Sequence, residues 1–119
     1  YPYLLPGDCG GREDVRWVAF RNPDGEGLMA SGMPLLHFDA LHFTPGDLAA
    51  ARHDFELTPR PETCVHLDFH HLGVGGDTGW TVNVHAPYLI PPGVYEGALV
   101  LRALRPDETP EEFHETEEA

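Results

Sequence analysis

"CVHLDFHHLGVGGDTGW", residues Cys64–Trp80, joins an alternating pattern to a glycine-rich loop that ends on tryptophan. Val65, Leu67 and Phe69 fall on one side of this alternation, and the polar residues between them fall on the other. A period of two predicts a β-strand with one half-buried face. Glycine permits backbone conformations that are closed to other residues, so the loop can pass close to a neighbouring part of the molecule.

Similar strand patterns lie on both sides of this stretch. "VRWVAFRN", "GLMASG" and "LLHFDALHF" come before it, "WTVNVHAPYLI" and "GVYEGALVLRAL" come after it, and "NPDGEG" (Asn22–Gly27) is typical of a tight turn. In "TPGDLAAAR" (Thr44–Arg52), Thr44 can cap a helix and Pro45 suits its first position. The sequence predicts about seven or eight strands and one short helix, arranged as an all-β, antiparallel two-sheet sandwich with Trp17 in its core.

Size and charge restrict the class of protein. The chain has 119 residues, enough for one domain, and a formal net charge of −13. We predict a folded body over residues 1–104 and an acidic, flexible tail over residues 105–119. An acidic body argues against a nucleic-acid partner, and no apolar run is long enough for a membrane span. Cys9 and Cys64 are interpreted as reduced thiols, and without a signal peptide the expected location is the cytoplasm.

The residues that could carry chemistry form no strong catalytic signature. His66, Asp68 and His70 share one face of the predicted strand, with His71 beside them, and such a set could hold a divalent ion; a solvated polar face is the alternative. Ser31 is the only serine and lacks a nucleophile elbow. The carboxylates present no distinctive pair. We therefore predict no catalytic residue and no metal ligand in this chain. Trp80 is either a core residue at the end of the loop or a flat platform for a sugar ring.

Four separated blocks of the sequence follow the pattern of one family. In "LDFHHLGVGGDTGW" (Leu67–Trp80), the family pattern L-[DN]-x-x-x-x-G-[VI]-G-G-D-[DN]-S-W is matched except at Thr78 and Gly79. The other blocks are "GGREDVRW", "LHFTPGDLAAARH" and "LIPPGVYEGALVLRAL". The chain resembles the C-terminal domain (small chain, domain 5) of β-galactosidases of glycoside hydrolase family 2, over almost all residues before the tail.

The resemblance implies an antiparallel supersandwich of the galactose-mutarotase-like kind at the carboxyl end of a retaining β-galactosidase, which hydrolyses terminal β-D-galactosides such as lactose. In this family the catalytic glutamates and the Mg and Na sites belong to a barrel domain that this chain lacks, which implies no cofactor here. The family's loop tryptophan forms a wall of the leaving-sugar subsite, and that role falls on Trp80. Loop positioning falls on Gly73, Gly75, Gly76 and Asp77.

The partners implied by the resemblance are the catalytic barrel and the other domains of the same polypeptide. They also include the β-galactoside substrate and further copies of the parent enzyme in a homo-oligomer, whereas nucleic acid and membrane are not expected. The alternative hypothesis is a stand-alone carbohydrate-binding or structural β-sandwich module.

Overall fold

The computed structural model describes residues 10–73 and 83–117, the last four of them by backbone alone. The strands are β1 (Arg12–Arg21), β2 (Gly27–Leu41), β3 (Cys64–Asp68) and β4 (Ala98–Leu104); the α-helices are α1 (Pro45–Ala50) and α2 (Pro110–Glu117); single 3₁₀ turns span Asp54–Glu56 and Ala86–Tyr88. Within these ranges, neither α-helix has the length and apolar character that crossing a bilayer requires.

The hairpin between β1 and β2 is closed by the predicted turn. The amide of Gly25 donates to the Asn22 carbonyl at 3.0 Å, and the amide of Asn22 donates to the Glu26 carbonyl at 2.8 Å. Gly25 has a φ of 87°, in the left-handed region that favours glycine. The turn in "NPDGEG" is thus confirmed.

Strand β2 is the centre of the sheet. β1 pairs with one edge of β2, while β4 pairs with its first half (Gly27–Met33) and β3 with its second half (His37–Leu41), all antiparallel. The two predicted runs "GLMASG" and "LLHFDALHF" form this one strand, and the pairing with β1 shifts register between them. The predicted all-β, antiparallel class is confirmed. The described residues form one four-stranded sheet, so they do not establish the two-sheet arrangement.

The structure corrects the predicted strand count. Seven or eight strands were expected, whereas the described residues contain four. The described part of "WTVNVHAPYLI" holds only a 3₁₀ turn, because Pro87 lacks the amide hydrogen that a strand ladder needs. β4 begins at Ala98 instead of Gly93, since its predicted first residues follow two prolines and contain Gly97.

Helix α1 forms where its capping signals predict it. The Thr44 hydroxyl accepts from the Asp47 amide at 3.1 Å, and the Asp47 carboxylate accepts from the Thr44 amide at 2.9 Å. Pro45 occupies the first turn, where no amide donor is needed. Reciprocal capping allows a helix of six residues to form at an otherwise unfavourable length.

A second α-helix lies in the acidic segment, where the sequence predicts none. α2 has Pro110 at its start and Glu111 and Glu112 in its first turn, and both features suit a helix amino terminus. The Arg102 guanidinium of β4 lies 3.4 Å from the centre of the Phe113 ring. This contact supplies the tertiary support that the sequence pattern did not show.

The core of the described residues is small and centred on β2. Its buried apolar side chains are Val18, Met29, Ala30, Leu36 and Leu104. Trp17 was predicted in the core, and it is only partly buried. Removing its indole should therefore cost less than the roughly 3–5 kcal/mol typical of a fully buried tryptophan.

Candidate functional site

A cleft of about 630 Å³ opens beside the irregular part of β2. This volume falls in the range of roughly 300–1,000 Å³ that small-molecule sites occupy. Strands β1 and β2 supply one wall, and the chain after β3 and the turn at Ala86–Tyr88 supply the rest. The lining residues are Glu13, Asp14, Pro34, Leu35, Phe69, His70, His71, Gly73 and Pro87–Ile90. The cleft therefore includes the first glycine of the loop that ends on Trp80.

Gly73 fixes the start of this loop by close contact. Its amide donates to the carbonyl of Tyr88 at 2.9 Å. A Cβ at Gly73 would lie 2.6 Å from the Tyr88 Cβ and 3.0 Å from a Val84 methyl group. No side chain fits in this space, so the glycine permits two backbone segments to touch.

Tyr88 is an aromatic residue that lines the cleft. Its side chain is 65% exposed, and the neighbouring Leu89 and Ile90 are also exposed. A phenol ring combines a flat apolar face with one hydroxyl, which suits contact with a sugar. Sequence reasoning missed Tyr88 because it assigned the segment to a strand. The signal available was an aromatic residue between Pro87 and Pro91.

The polar face predicted on β3 does not form a single ligand set among the described residues. The His66 ring bonds the Asp39 carboxylate at 2.8 Å. Asp68 instead faces His37, and its carboxylate oxygen lies 3.5 Å from the His37 Nδ1 atom. The His70 ring packs edge-on against Tyr95 at a centroid distance of 4.7 Å. The predicted trio is thus divided among three different neighbours.

The pairing of His66 with Asp39 changes the titration of the imidazole. The Asp39 carboxylate accepts a hydrogen bond from the imidazole and carries a negative charge, and both effects raise the pKa of His66 above the ordinary histidine value. Both side chains remain partly exposed, at 46% for His66 and 27% for Asp39. Solvent therefore screens the pair, and its contribution to stability is modest.

A second depression, of about 500 Å³, lies beside α1. Two of its charged residues are already paired, because Arg60 donates two hydrogen bonds to the Asp47 carboxylate at 2.6 and 2.8 Å. These bonds hold the pKa of Asp47 well below its usual range. The pair joins the helix cap to the chain before β3, which indicates a structural role.

Metal-ligating residue types do converge at another place beside the cleft. Glu13, His37 and His71 each offer one ligand atom, and these atoms all lie within 4.8 Å of one another. Sequence reasoning singled out His71 only as a neighbour of the β3 face. It missed Glu13 and His37 because they come from β1 and β2, and strand pairing is what brings them together.

The remaining predicted loop residues lie outside the described part of the chain. They are Gly75, Gly76, Asp77 and Trp80. Cys9 lies outside it as well, and Cys64 is a free thiol. The assignments made for these four loop residues remain predictions.

Comparison with known proteins identifies the family. A sequence model of the family described as "Beta galactosidase small chain" matches residues 1–101. The chain belongs to this family. The small-chain match includes β1, β2 and β3, the cleft, and the glycine loop with Trp80, whereas α2 lies beyond its end.

Curated β-galactosidases are about one-third identical to this small-chain sequence. The protein from Priestia megaterium is 35% identical over 89 residues, or 75% of this chain. The protein from Aeromonas hydrophila is 35% identical over 100 residues, and that from Pseudoalteromonas haloplanktis is 34% identical over 100 residues, each 84% of this chain. Each alignment covers only 9% of the relative's own length.

Proposed function

We propose that this chain is a non-catalytic domain of a larger β-galactosidase that hydrolyses terminal β-D-galactosides such as lactose. One observation carries the proposal. The family match extends over residues 1–101, yet the same region is only 9% of the β-galactosidases to which it aligns. Under this proposal the catalytic carboxylates, and the Mg and Na ions, belong to a barrel in the remainder of the polypeptide.

Trp80 is proposed to form one wall of the subsite that holds the leaving sugar. The anchoring of Gly73 against Tyr88 supports this role, because it holds the base of the loop at the rim of the cleft. Gly75, Gly76 and Asp77 would shape the loop between that anchor and the indole. Stacking of the indole on a sugar ring is expected to contribute roughly 0.5–1.5 kcal/mol, as aromatic pairs do.

The exposed apolar surface of β4 supports burial against other parts of the same polypeptide. Leu99, Val100 and Leu101 remain 43%, 43% and 56% exposed, so the strand leaves apolar side chains open on both faces. Contiguous exposed apolar surface usually marks a contact site. We assign this surface to packing on the barrel and neighbouring domains of a cytoplasmic, homo-oligomeric enzyme.

The role of Trp80 is tested by steady-state kinetics of the full-length enzyme. Trp80→Ala should raise the KM for lactose about two- to tenfold, the equivalent of the lost stacking energy. The KM of Trp80→Phe for lactose should lie between the values of Trp80→Ala and the wild type, because phenylalanine keeps an aromatic face. Methyl β-D-galactoside has no leaving-sugar ring, so its KM should not change.

Trp17→Phe is the matched control, because it alters the other tryptophan, which lies in β1. It should leave the KM for lactose unchanged. An unchanged KM for lactose in Trp80→Ala would refute the role of Trp80, and an equal rise for both substrates would indicate a general structural effect.

A second candidate function is a stand-alone sugar-binding module, and the exposed Tyr88 in the cleft favours it. Calorimetric titration of the 119-residue chain with lactose separates the two proposals. The domain proposal predicts negligible binding, because one aromatic wall cannot offset the entropy lost on association. Binding in the millimolar range or tighter would favour the module.

A further inference from the structure

A β-bulge in β1 places two residues opposite one residue of β2. Arg12 pairs with Phe38 and Val15 pairs with Leu36, which leaves Glu13 and Asp14 opposite His37. Asp14 has a φ of 55°, in the left-handed region that is uncommon for residues other than glycine. Bulges of this kind redirect side chains, and this one brings the Glu13 carboxylate to His37.

His37 is buried, and one nitrogen of its imidazole lacks a hydrogen-bond partner among the described residues. The side chain is 10% exposed, and its Nδ1 atom is fully buried with no such partner among the described residues. The Asp68 carboxylate oxygen lies 3.5 Å from Nδ1, which is outside hydrogen-bond geometry. An unsatisfied buried polar atom destabilises the folded state, so it needs an explanation.

His71 completes the group from the chain that follows β3. Its ring lies over the ring of His37, with centroids 4.1 Å apart and planes tilted by 42°. The ligand atoms of His71, His37 and Glu13 lie within 4.8 Å of one another. Three separate parts of the fold thus bring two imidazoles and one carboxylate together at the edge of the cleft.

We propose that Glu13, His37 and His71 bind one divalent ion of the zinc class. Two imidazole nitrogens and one carboxylate oxygen are the donors of many zinc sites, and imidazole disfavours magnesium and calcium relative to zinc. Bonds of about 2.0–2.1 Å in a tetrahedron hold ligand atoms about 3.3 Å apart. Glu13 and His71 are exposed, so small rotations of their side chains can close the remaining distance.

The ion would join β1, β2 and the chain after β3 two residues before Gly73. It would therefore brace the base of the glycine loop. This inference does not depend on the proposed role in a β-galactosidase, because it rests only on the residues of this chain.

Zinc counting on the full-length polypeptide tests the proposal. Protein stripped with a chelator is equilibrated with buffered Zn²⁺ and analysed by elemental mass spectrometry. The wild type should bind one equivalent more than Glu13→Gln, His37→Gln or His71→Ala, because each variant removes one ligand. His70→Ala is the matched control, since it removes the adjacent imidazole that packs on Tyr95. This variant should bind as many equivalents of zinc as the wild type.

Melting curves recorded with and without Zn²⁺ separate binding from folding. Zinc should raise the Tm of the wild type and of His70→Ala but not the Tm of His71→Ala. If buried His37→Gln fails to fold, the exposed positions Glu13 and His71 decide the outcome. Equal zinc content in the wild type and His71→Ala would overturn the proposal, and so would loss of the equivalent in His70→Ala.

Discussion

Gly73 has no room for a side chain, and the reason is proximity to a second backbone segment. Its amide bonds the Tyr88 carbonyl, and a Cβ would lie 2.6 Å from the Tyr88 Cβ. The sequence indicated that glycine matters at this position through the pattern of the loop. It did not indicate Tyr88 as the neighbour, because that contact joins residues on either side of the loop.

Gly73→Ala is expected to destabilise the protein by about 1–3 kcal/mol, because the added methyl group must displace backbone. Urea denaturation of the wild type and the variant measures the change in the free energy of unfolding. Gly46→Ala is the matched control. A Cβ at Gly46 would meet the Thr44 hydroxyl oxygen at an ordinary 3.6 Å, and alanine favours the helix there. Equal stability of Gly73→Ala and the wild type would contradict the close contact.

Among the helices, strands and turns, sequence patterns correctly predicted the features that depend on interactions between neighbouring residues. The turn at Asn22–Gly25 and the cap of α1 formed as expected, because each depends on neighbours within four residues. The chain around Ala86–Tyr88 and helix α2 were not predicted as they are. Pro87 keeps the chain around Ala86–Tyr88 out of a strand ladder. The contact between Arg102 and Phe113 supports helix α2.

The polar face of β3 shows that contacts between different strands of the candidate site could not be predicted from local sequence patterns. Alternation correctly placed Val65 and His66 in a strand, but the partners of His66 and Asp68 come from β2. Register pairs Asp39 with His66 and His37 with Asp68. A single sequence does not specify this register, so the convergence of Glu13, His37 and His71 could not be read from it.

The stabilisation that the pairing of His66 on β3 with Asp39 on β2 gives to the fold should depend on pH. Folding raises the pKa of His66 above its value near 6.5 in the unfolded chain. The stabilisation is therefore complete below the pKa of the unfolded state, and it is lost as the pH rises through the pKa of the folded state. Asp39→Asn should therefore destabilise more at about pH 5.5 than at about pH 8.5, by less than about 1 kcal/mol because the pair is partly exposed.

Urea denaturation at both pH values measures this difference. Asp24→Asn, which alters an exposed carboxyl group in the β1–β2 turn, serves as the control and should show no such pH dependence. If Asp39→Asn had the same effect at both pH values, the pairing with His66 would contribute nothing to stability.

At the scale of the whole molecule, the described residues form one sheet around a small core. Val18, Met29, Ala30, Leu36 and Leu104 are its buried apolar side chains, while much of β4 stays exposed. A sheet with uncovered apolar residues gains stability when further structure packs on it. The aligned region is 9% of a matched small-chain relative, which is therefore about eleven times as long as that region. We expect the rest of such a polypeptide to supply the further structure.

The intact mass of the native polypeptide that carries this sequence shows whether the chain is one domain of a larger β-galactosidase. We predict a β-galactosidase about eight to nine times as long as this chain, since the aligned regions of 89 and 100 residues are each 9% of the relatives' length. A native product close to 13.2 kDa, the mass of the 119 residues alone, would contradict the account. It would leave no room for a catalytic barrel in the same polypeptide.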